Sequence, residues 1–341
     1  MKKELIVILS VLIALFFAEP CGYAAEKTIT FKLSVDTVEN HNRNMGLKIF
    51  RCLLEKNSKG RLKVDYYHSA QIYKDRDIPK AIRMGTVEMA VPGNWILESV
   101  APSLGVTSLP MFYGMPERVT KAFLNSELLD LPIQTLEKKL DVVVFDKWYY
   151  HGYAHVCSKT RPIKTLEDWK GLKIRHAGGA SNAYRFEALG ANPIMIPWPD
   201  LPMAMVQGTA DGFLTTYKSF QGAKLWETGT KYSTRDRESY VFYVPMMNGK
   251  FFRGLPKDLQ KVILDTWNEH VEMERAISIA EQQKGEDAMK AHGVEIYYPS
   301  DDLLAEWRSL VMKSQDKVVK EIRINKDYVA RVQKFMEEQL K

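Results

Sequence analysis

One stretch, Gly171 to Tyr217, limits what this chain can fold into more than any other. Leu172 to Arg175 reads as a short strand that ends on a guanidinium. Gly178 and Gly179 supply a bend, and Ser181 can cap a helix to about Leu189, with Phe186 and Leu189 on its inner face. Gly190 ends that helix, because glycine takes the closing left-handed turn without steric cost. Ile194 to Ile196 makes a second strand, and Asp200 opens a short helix whose Leu201, Ala204 and Met205 face inward. Gln207 and Gly208 close it, and Asp211 to Leu214 is a third strand. Strand, helix, strand, helix, strand is the unit of an α/β fold with a mostly parallel sheet. Ligands of such sheets sit beyond the carboxyl ends of the strands. Arg175 lies at one such end and Thr215, Thr216 and Tyr217 at another. A fork of fixed donors beside hydroxyls and helix amino termini suits an anion, most simply a carboxylate. The same arginine would serve in a surface ion pair, and only its strand-end position favours a ligand.

The amino terminus carries a different signal. Lys2 and Lys3 precede an apolar run from Leu5 to Ala18, and small residues follow at Gly22 to Ala25. This is the pattern of a secretory signal peptide cleaved near Ala24 or Ala25. Cys21 does not make a lipoprotein site, because Glu19 and Pro20 stand where small apolar residues are wanted. The remaining chain is long enough for two domains. Its net charge of +6 comes with no basic cluster or stripe, so no nucleic acid is implied. Cys52 and Cys157 remain after cleavage; an oxidising compartment permits a bond, but two buried free thiols are the expectation.

Elsewhere, Thr28 to Val35, Arg61 to Tyr67, Val87 to Val91 and Asp141 to Asp146 read as strands. Asn44 to Lys56, Ile78 to Met84, Val119 to Leu124 and Leu128 to Lys138 read as helices. Gly93, Asn94 and Trp95 form a loop after a strand end, where the Trp either faces a ligand or caps the core. Trp148 to His155 is the most aromatic segment. In a strand Tyr149, His151 and Tyr153 share one face, Trp148, Tyr150 and Gly152 the other. Tyr240 to Val244 and Val294 to Tyr297 are further strands. From Leu255 to about Met289 apolar residues keep helical spacing. Such a helix measures ~50 Å, longer than one small domain.

Enzyme signatures are missing. No histidine belongs to an HExxH or a Cys/His zinc spacing, and there is no GxSxG, Walker or dinucleotide loop. His151 and His155 are ~13 Å apart in a strand, too far to share a metal. No metal, cofactor or catalytic residue is expected.

Four segments together carry a resemblance. GLKIR, LGANP and QGTADG, with the Trp198 to Asp200 turn between, are similar to the extracytoplasmic solute-binding proteins of TRAP transporters, the dicarboxylate-binding DctP type. Ser69 to Val91, Arg161 to Arg175 and Leu255 to Ile263 resemble that family too, so residues 28 to 300 follow it in order. The resemblance implies a two-lobed periplasmic binding protein fold, each lobe a mixed, mostly parallel sheet flanked by helices, with a long domain-crossing helix. It implies a signal peptide over 1–25, a first lobe over 26–151 plus 240–280, and a second over 152–239 plus 281–341. It also implies capture of a small organic anion between the lobes, delivery to the membrane subunits of a TRAP permease, and action as a monomer. A sensing receptor, the binding component of an ATP-driven importer and, more remotely, a secreted hydrolase are the competing readings.

On this resemblance Arg175 holds the ligand's carboxylate and Thr215 occupies the place of a ligand-binding Asn. Asn94, Trp95, Tyr153, His155, Trp198, Phe213 and Tyr217 complete the expected site. The sequence departs from the family at Ala154, where many members carry a second Arg, and at Asp200 and Pro202, where Glu and Tyr are common. One fixed cation beside aromatic residues leads to the expectation of a mono-anionic acid with an apolar or aromatic body. If a small dicarboxylate binds instead, His155 is the first candidate for the second cation.

Overall fold

The structure, a computed structural model, describes residues 27–341. The expected signal peptide and Cys21 lie outside the described residues. Eleven strands form among these residues: β1 (Ile29–Ser34), β2 (Leu62–Tyr67), β3 (Met89–Ala90), β4 (Val142–Val144), β5 (Tyr149–Ser158) and β6 (Lys173–His176), followed by β7 (Asn192–Met195), β8 (Gly212–Thr215), β9 (Tyr232–Tyr243), β10 (Met246–Asn248) and β11 (Glu295–Tyr297). They build two sheets, ordered β2-β1-β3-β10-β4 and β11-β9-β5-β8-β6-β7.

Parallel pairs form the heart of each sheet, β1 with β2 and β3 in one and β6 with β7 and β8 in the other. The antiparallel pairs come from β10 in the first sheet and β5 in the second. β5 and β9 form a long ribbon, from Tyr149 opposite Tyr243 to Ser158 opposite Tyr232. Its Tyr149 end packs among Phe31, Phe50 and Trp267 of the first lobe. Its other end packs in the second lobe, with Val156 beside Ile174 and Cys157 beside Phe213. The ribbon therefore joins the lobes. It is irregular between Tyr150 and Gly152, and Gly152 holds φ at +80°, a backbone that side chains resist.

The helix Lys257–Ala291 is the second connection. Leu259, Ile263, Trp267 and Val271 bury in the first lobe, while Met289 buries in the second. Gly285 permits this, because a Cβ there would lie 2.5 Å from the backbone of Tyr217. Leu304, Trp307 and Val311 of the helix Asp301–Met312 pack with Val156, Trp169 and Ile174 of the second lobe. The two last helices do not. Val318, Tyr328, Val332 and Met336 of Gln315–Glu321 and Lys326–Leu340 pack with Ile78, Phe123 and Leu136 of the first lobe. The division at 281–341 is corrected accordingly, because the chain returns to the first lobe after Met312. Cys157 is a buried free thiol, pushed up to about 12 by burial. Cys52 is also free but exposed, which corrects the expectation that it is buried.

Candidate ligand-binding cleft

A cavity of about 90 Å³ lies between the lobes, at the carboxyl ends of β6 and β8. From the second lobe comes Arg175, held on β6 opposite Ile194 and Phe213. The side chain is 1% exposed. Its Nε–H donates to the Ile196 carbonyl at 2.8 Å, and the guanidinium lies 5.7 Å over the Trp198 ring. Nη2 is buried and has no partner among the described residues. Burial drives the group down to about 10, with Asp36 opposing, so the cation persists at neutral pH. An unpartnered guanidinium nitrogen facing a cavity is a donor waiting for an acceptor.

The first lobe supplies the opposite wall: Asp36 and Thr37 after β1, Arg43 of the helix Asn42–Asn57, and Asp75. Arg43 donates to Asp75 at 2.9 Å, to Asp36, to the Val91 carbonyl at 3.1 Å and to Thr37 Oγ1 at 3.3 Å. His41 and His176 also line the cavity, and burial lowers both, His176 to about 4, so neither adds a charge.

Three contacts draw the lobes together. His41 Nδ1 accepts the Arg43 N–H at 3.1 Å, so its Nε2–H donates to Ser219 Oγ at 2.8 Å. Glu98 accepts the Ser181 N–H at 2.9 Å and its hydroxyl at 2.5 Å. Burial pushes the Glu98 carboxyl up while those donors hold it down. Lys74 meets Asp200 at 2.7 Å. Ser181 is thus not the cap of its helix, which starts at Ala180 after Gly179 at φ +79°. Its donors serve the other lobe instead.

Arg175, Thr215, Trp198, Trp95 and Asn94 come together around this cavity. Phe213 does not. It packs in the core, 5.9 Å from Phe220, while Leu214 and Thr215 nearer the strand end line the cavity. Trp148 and Tyr150 of the aromatic strand are packed in the first lobe. Strand alternation in β5 sends Ala154 to the cleft and Tyr153 and His155 to the other face. There they border a second cavity of about 490 Å³ with Tyr217, Arg237 and Glu286. Burial lowers His155 to about 3, and its Nδ1 accepts the Arg237 N–H at 3.2 Å. It is neutral and on the wrong face to replace the second arginine. Asp36, His41, Arg43 and Asp75 are the residues that sequence reasoning missed; only the polar run of Asn42, Arg43 and Asn44 at a helix start hinted at them.

Residues 34–322 match the family described as bacterial extracellular solute-binding protein, family 7, or DctP. The chain belongs to this family. As a family 7 protein it is 25% identical over 289 residues to the 2,3-diketo-L-gulonate-binding periplasmic protein YiaO of Escherichia coli, covering 84% of this chain and 87% of YiaO. Among solved structures, the sugar acid binding protein DctPAm of Advenella mimigardefordensis, in complex with galactonate, superposes with a TM-score of 0.85 at 21% identity, covering 92% of this chain and 99% of DctPAm. A TRAP periplasmic solute-binding protein of Ralstonia eutropha H16 with bound (S)-2-acetolactate gives 0.83 at 25% identity, covering 91% and 99%. The two-lobed architecture, the long crossing helix and the role in solute binding for TRAP transport are those of the family.

Proposed function

We propose that this protein captures a small organic acid in the interlobe cleft, with the acid group on Arg175, and hands it to the membrane subunits of a TRAP permease. The buried, unpartnered Nη2 of Arg175 carries the reading. The ligands named for the relatives above, diketogulonate, galactonate and acetolactate, are carboxylic acids rich in other oxygen groups. That supports an acid here. The signal peptide pattern and the family support export to the periplasm.

The ligand is small. A cavity of about 90 Å³ is tighter than the ~150 Å³ space that takes up a benzene. With Phe213, Trp148 and Tyr150 packed in cores, a bulky aromatic body loses the surfaces expected for it. The protein releases its ligand unaltered, which mass spectrometry after prolonged incubation checks.

The test is direct. Organic acids are screened by thermal shift, since a ligand of the native state alone raises the melting temperature. For the best one, calorimetry then compares Arg175 variants. A charge-assisted pair is worth ~1.5–3 kcal/mol, so Arg175→Ala weakens binding at least about tenfold. Arg175→Lys does not restore it, because a point charge cannot reproduce the fork. Unchanged affinity in a folded Arg175→Ala variant would overturn the assignment.

A further inference from the structure

We infer that the cleft takes a small zwitterion, an amino or imino acid, whose ammonium group sits against Asp36 and Asp75 while its carboxylate meets Arg175. The inference rests on the assignment of Arg175 and adds what the opposite wall reads. Among the described residues, Arg43 is the only cation hydrogen-bonded to that pair of carboxylates, through one oxygen of each. Its remaining donors go to Thr37 and the Val91 carbonyl, and the Tyr243 ring lies 4.4 Å away. Four of the five guanidinium N–H donors are engaged within the fold, and its charge is already matched by carboxylates.

Two carboxylates against one guanidinium leave the first-lobe wall with one negative charge in excess. Asp36 Oδ2 and Asp75 Oδ1 accept no hydrogen bond from any described residue, although both side chains line the cavity. The second-lobe wall has the opposite surplus, the single charge of Arg175. His41 and His176, between them, are neutral. A bare monocarboxylate satisfies one wall and leaves the other carboxylates desolvated without a partner. A second carboxylate is repelled there. A ligand with both charges satisfies both walls at once. Burial, opposed by Arg43 and aided by Asp36, pushes Asp75 up to about 7. A proton relieves the surplus there until an ammonium group replaces it.

The experiment uses two matched triads and one matched pair that differ only in the group on or beside the second carbon: alanine, lactate and propionate; 2-aminobutyrate, 2-hydroxybutyrate and butyrate; proline with cyclopentanecarboxylate. Each is titrated calorimetrically into the mature protein. At least one amino or imino acid binds, ten or more times tighter than its hydroxy and deaminated counterparts. Asp36→Asn removes that preference. If this variant fails to fold, proton release decides: titration in two buffers of different ionisation enthalpy shows a proton leaving on binding near pH 6. Hydroxy or deaminated acids that bind as tightly as the amino acids, or binding without proton release, overturn the zwitterion and leave Arg175 as the carboxylate site. If none of these acids binds, the zwitterion falls; if Arg175→Ala leaves the affinities of those that bind unchanged, both readings fall.

Discussion

Two arginines face one cleft from opposite lobes, equally buried and oppositely provided for. Arg43 is 0% exposed and Arg175 1%. Around Arg43 burial works against the charge, but Asp75 and Asp36 outweigh it and hold the group above its ordinary value. Around Arg175 burial wins, and Asp36 only moderates the fall to about 10. A buried ion that is paired and hydrogen-bonded belongs to the fold, whereas one left open is strained until a ligand arrives. A ligand can shift the open and closed states only by binding them differently, and an orphan donor in the closed form is such a difference.

Removing each cation separates the two roles, and the larger effect belongs to Arg43. Arg43→Met leaves Asp36 and Asp75 buried without their counterion, a loss of ~3–5 kcal/mol in folding stability. Urea denaturation of the ligand-free protein reads this directly. A loss under about 1 kcal/mol would mean that water reaches the triad and that Arg43 is not a fixed part of the fold. Arg175→Met goes the other way. It removes a buried donor that lacks a partner, which costs the wild type ~1–3 kcal/mol. The ligand-free variant is therefore as stable as the wild type or more so, while ligand no longer raises its melting temperature. Lower stability without ligand would show that Arg175 is paired in solution and would erase the contrast.

A third buried site sharpens the comparison, because it holds neither charge. His151 lies 3.1 Å from Glu274 of the long helix, at the ribbon that joins the lobes. Burial pushes Glu274 up to about 8, with Ser278 and Arg275 opposing, and holds His151 well below its ordinary value. The contact is a neutral hydrogen bond and not an ion pair. The folded protein binds the Glu274 proton more tightly than the unfolded chain, whose value is 4.5. Its contribution is complete below that pH and is lost as pH rises through about 8. Glu274→Gln keeps the hydrogen bonds without the titration. Denaturation at pH 5 and pH 8.5 then shows a smaller drop for the variant than for the wild type. Equal drops would place the proton elsewhere.

How much of this was legible in the chain follows from where polarity and burial agree. The β6 to β8 unit read almost correctly, because glycines mark its turns and its buried residues are apolar. β9 was read only over its last residues. Its Ser233 to Ser239 portion is polar throughout, yet Asp236 and Glu238 are 0% exposed and engage Tyr113 and Arg185. A strand that buries carboxylates has no apolar alternation to find. The aromatic strand was recognised, but the bulge at Gly152 shifts which residues share a face. Arg175 was legible from its strand end. Arg43, Asp36 and Asp75 were not, because their pairing brings together residues far apart in the chain and leaves no periodic trace. The last two helices show apolar faces without any mark of which lobe receives them.

The smallest effect belongs to the histidine that looks like a substitute for a missing arginine. His155 follows Ala154 on β5, and sequence alone offers it as a second cation for the ligand. Two facts of the structure remove it. Its neighbour faces the cleft and so it faces away, toward the cavity with Tyr217 and Arg237. Burial also holds it down to about 3, so the ring is neutral at any pH the protein meets. Asp236, 3.7 Å from Nδ1, does not make an ion pair of it, because burial pushes that carboxyl up to about 7. What the ring does is accept the Arg237 N–H at a point where β9 departs from regular pairing. His155→Gln offers the same backbone group another acceptor, so at most ~1–3 kcal/mol of stability is lost, the range for a buried donor left without its partner. Ligand affinity, measured calorimetrically beside Arg175→Ala, changes less than about twofold, well under the tenfold that ~1.4 kcal/mol represents. A tenfold loss in His155→Gln with its circular dichroism intact would mean that the two faces of β5 communicate, and that the contrast between the two arginines is not the whole of what holds the ligand.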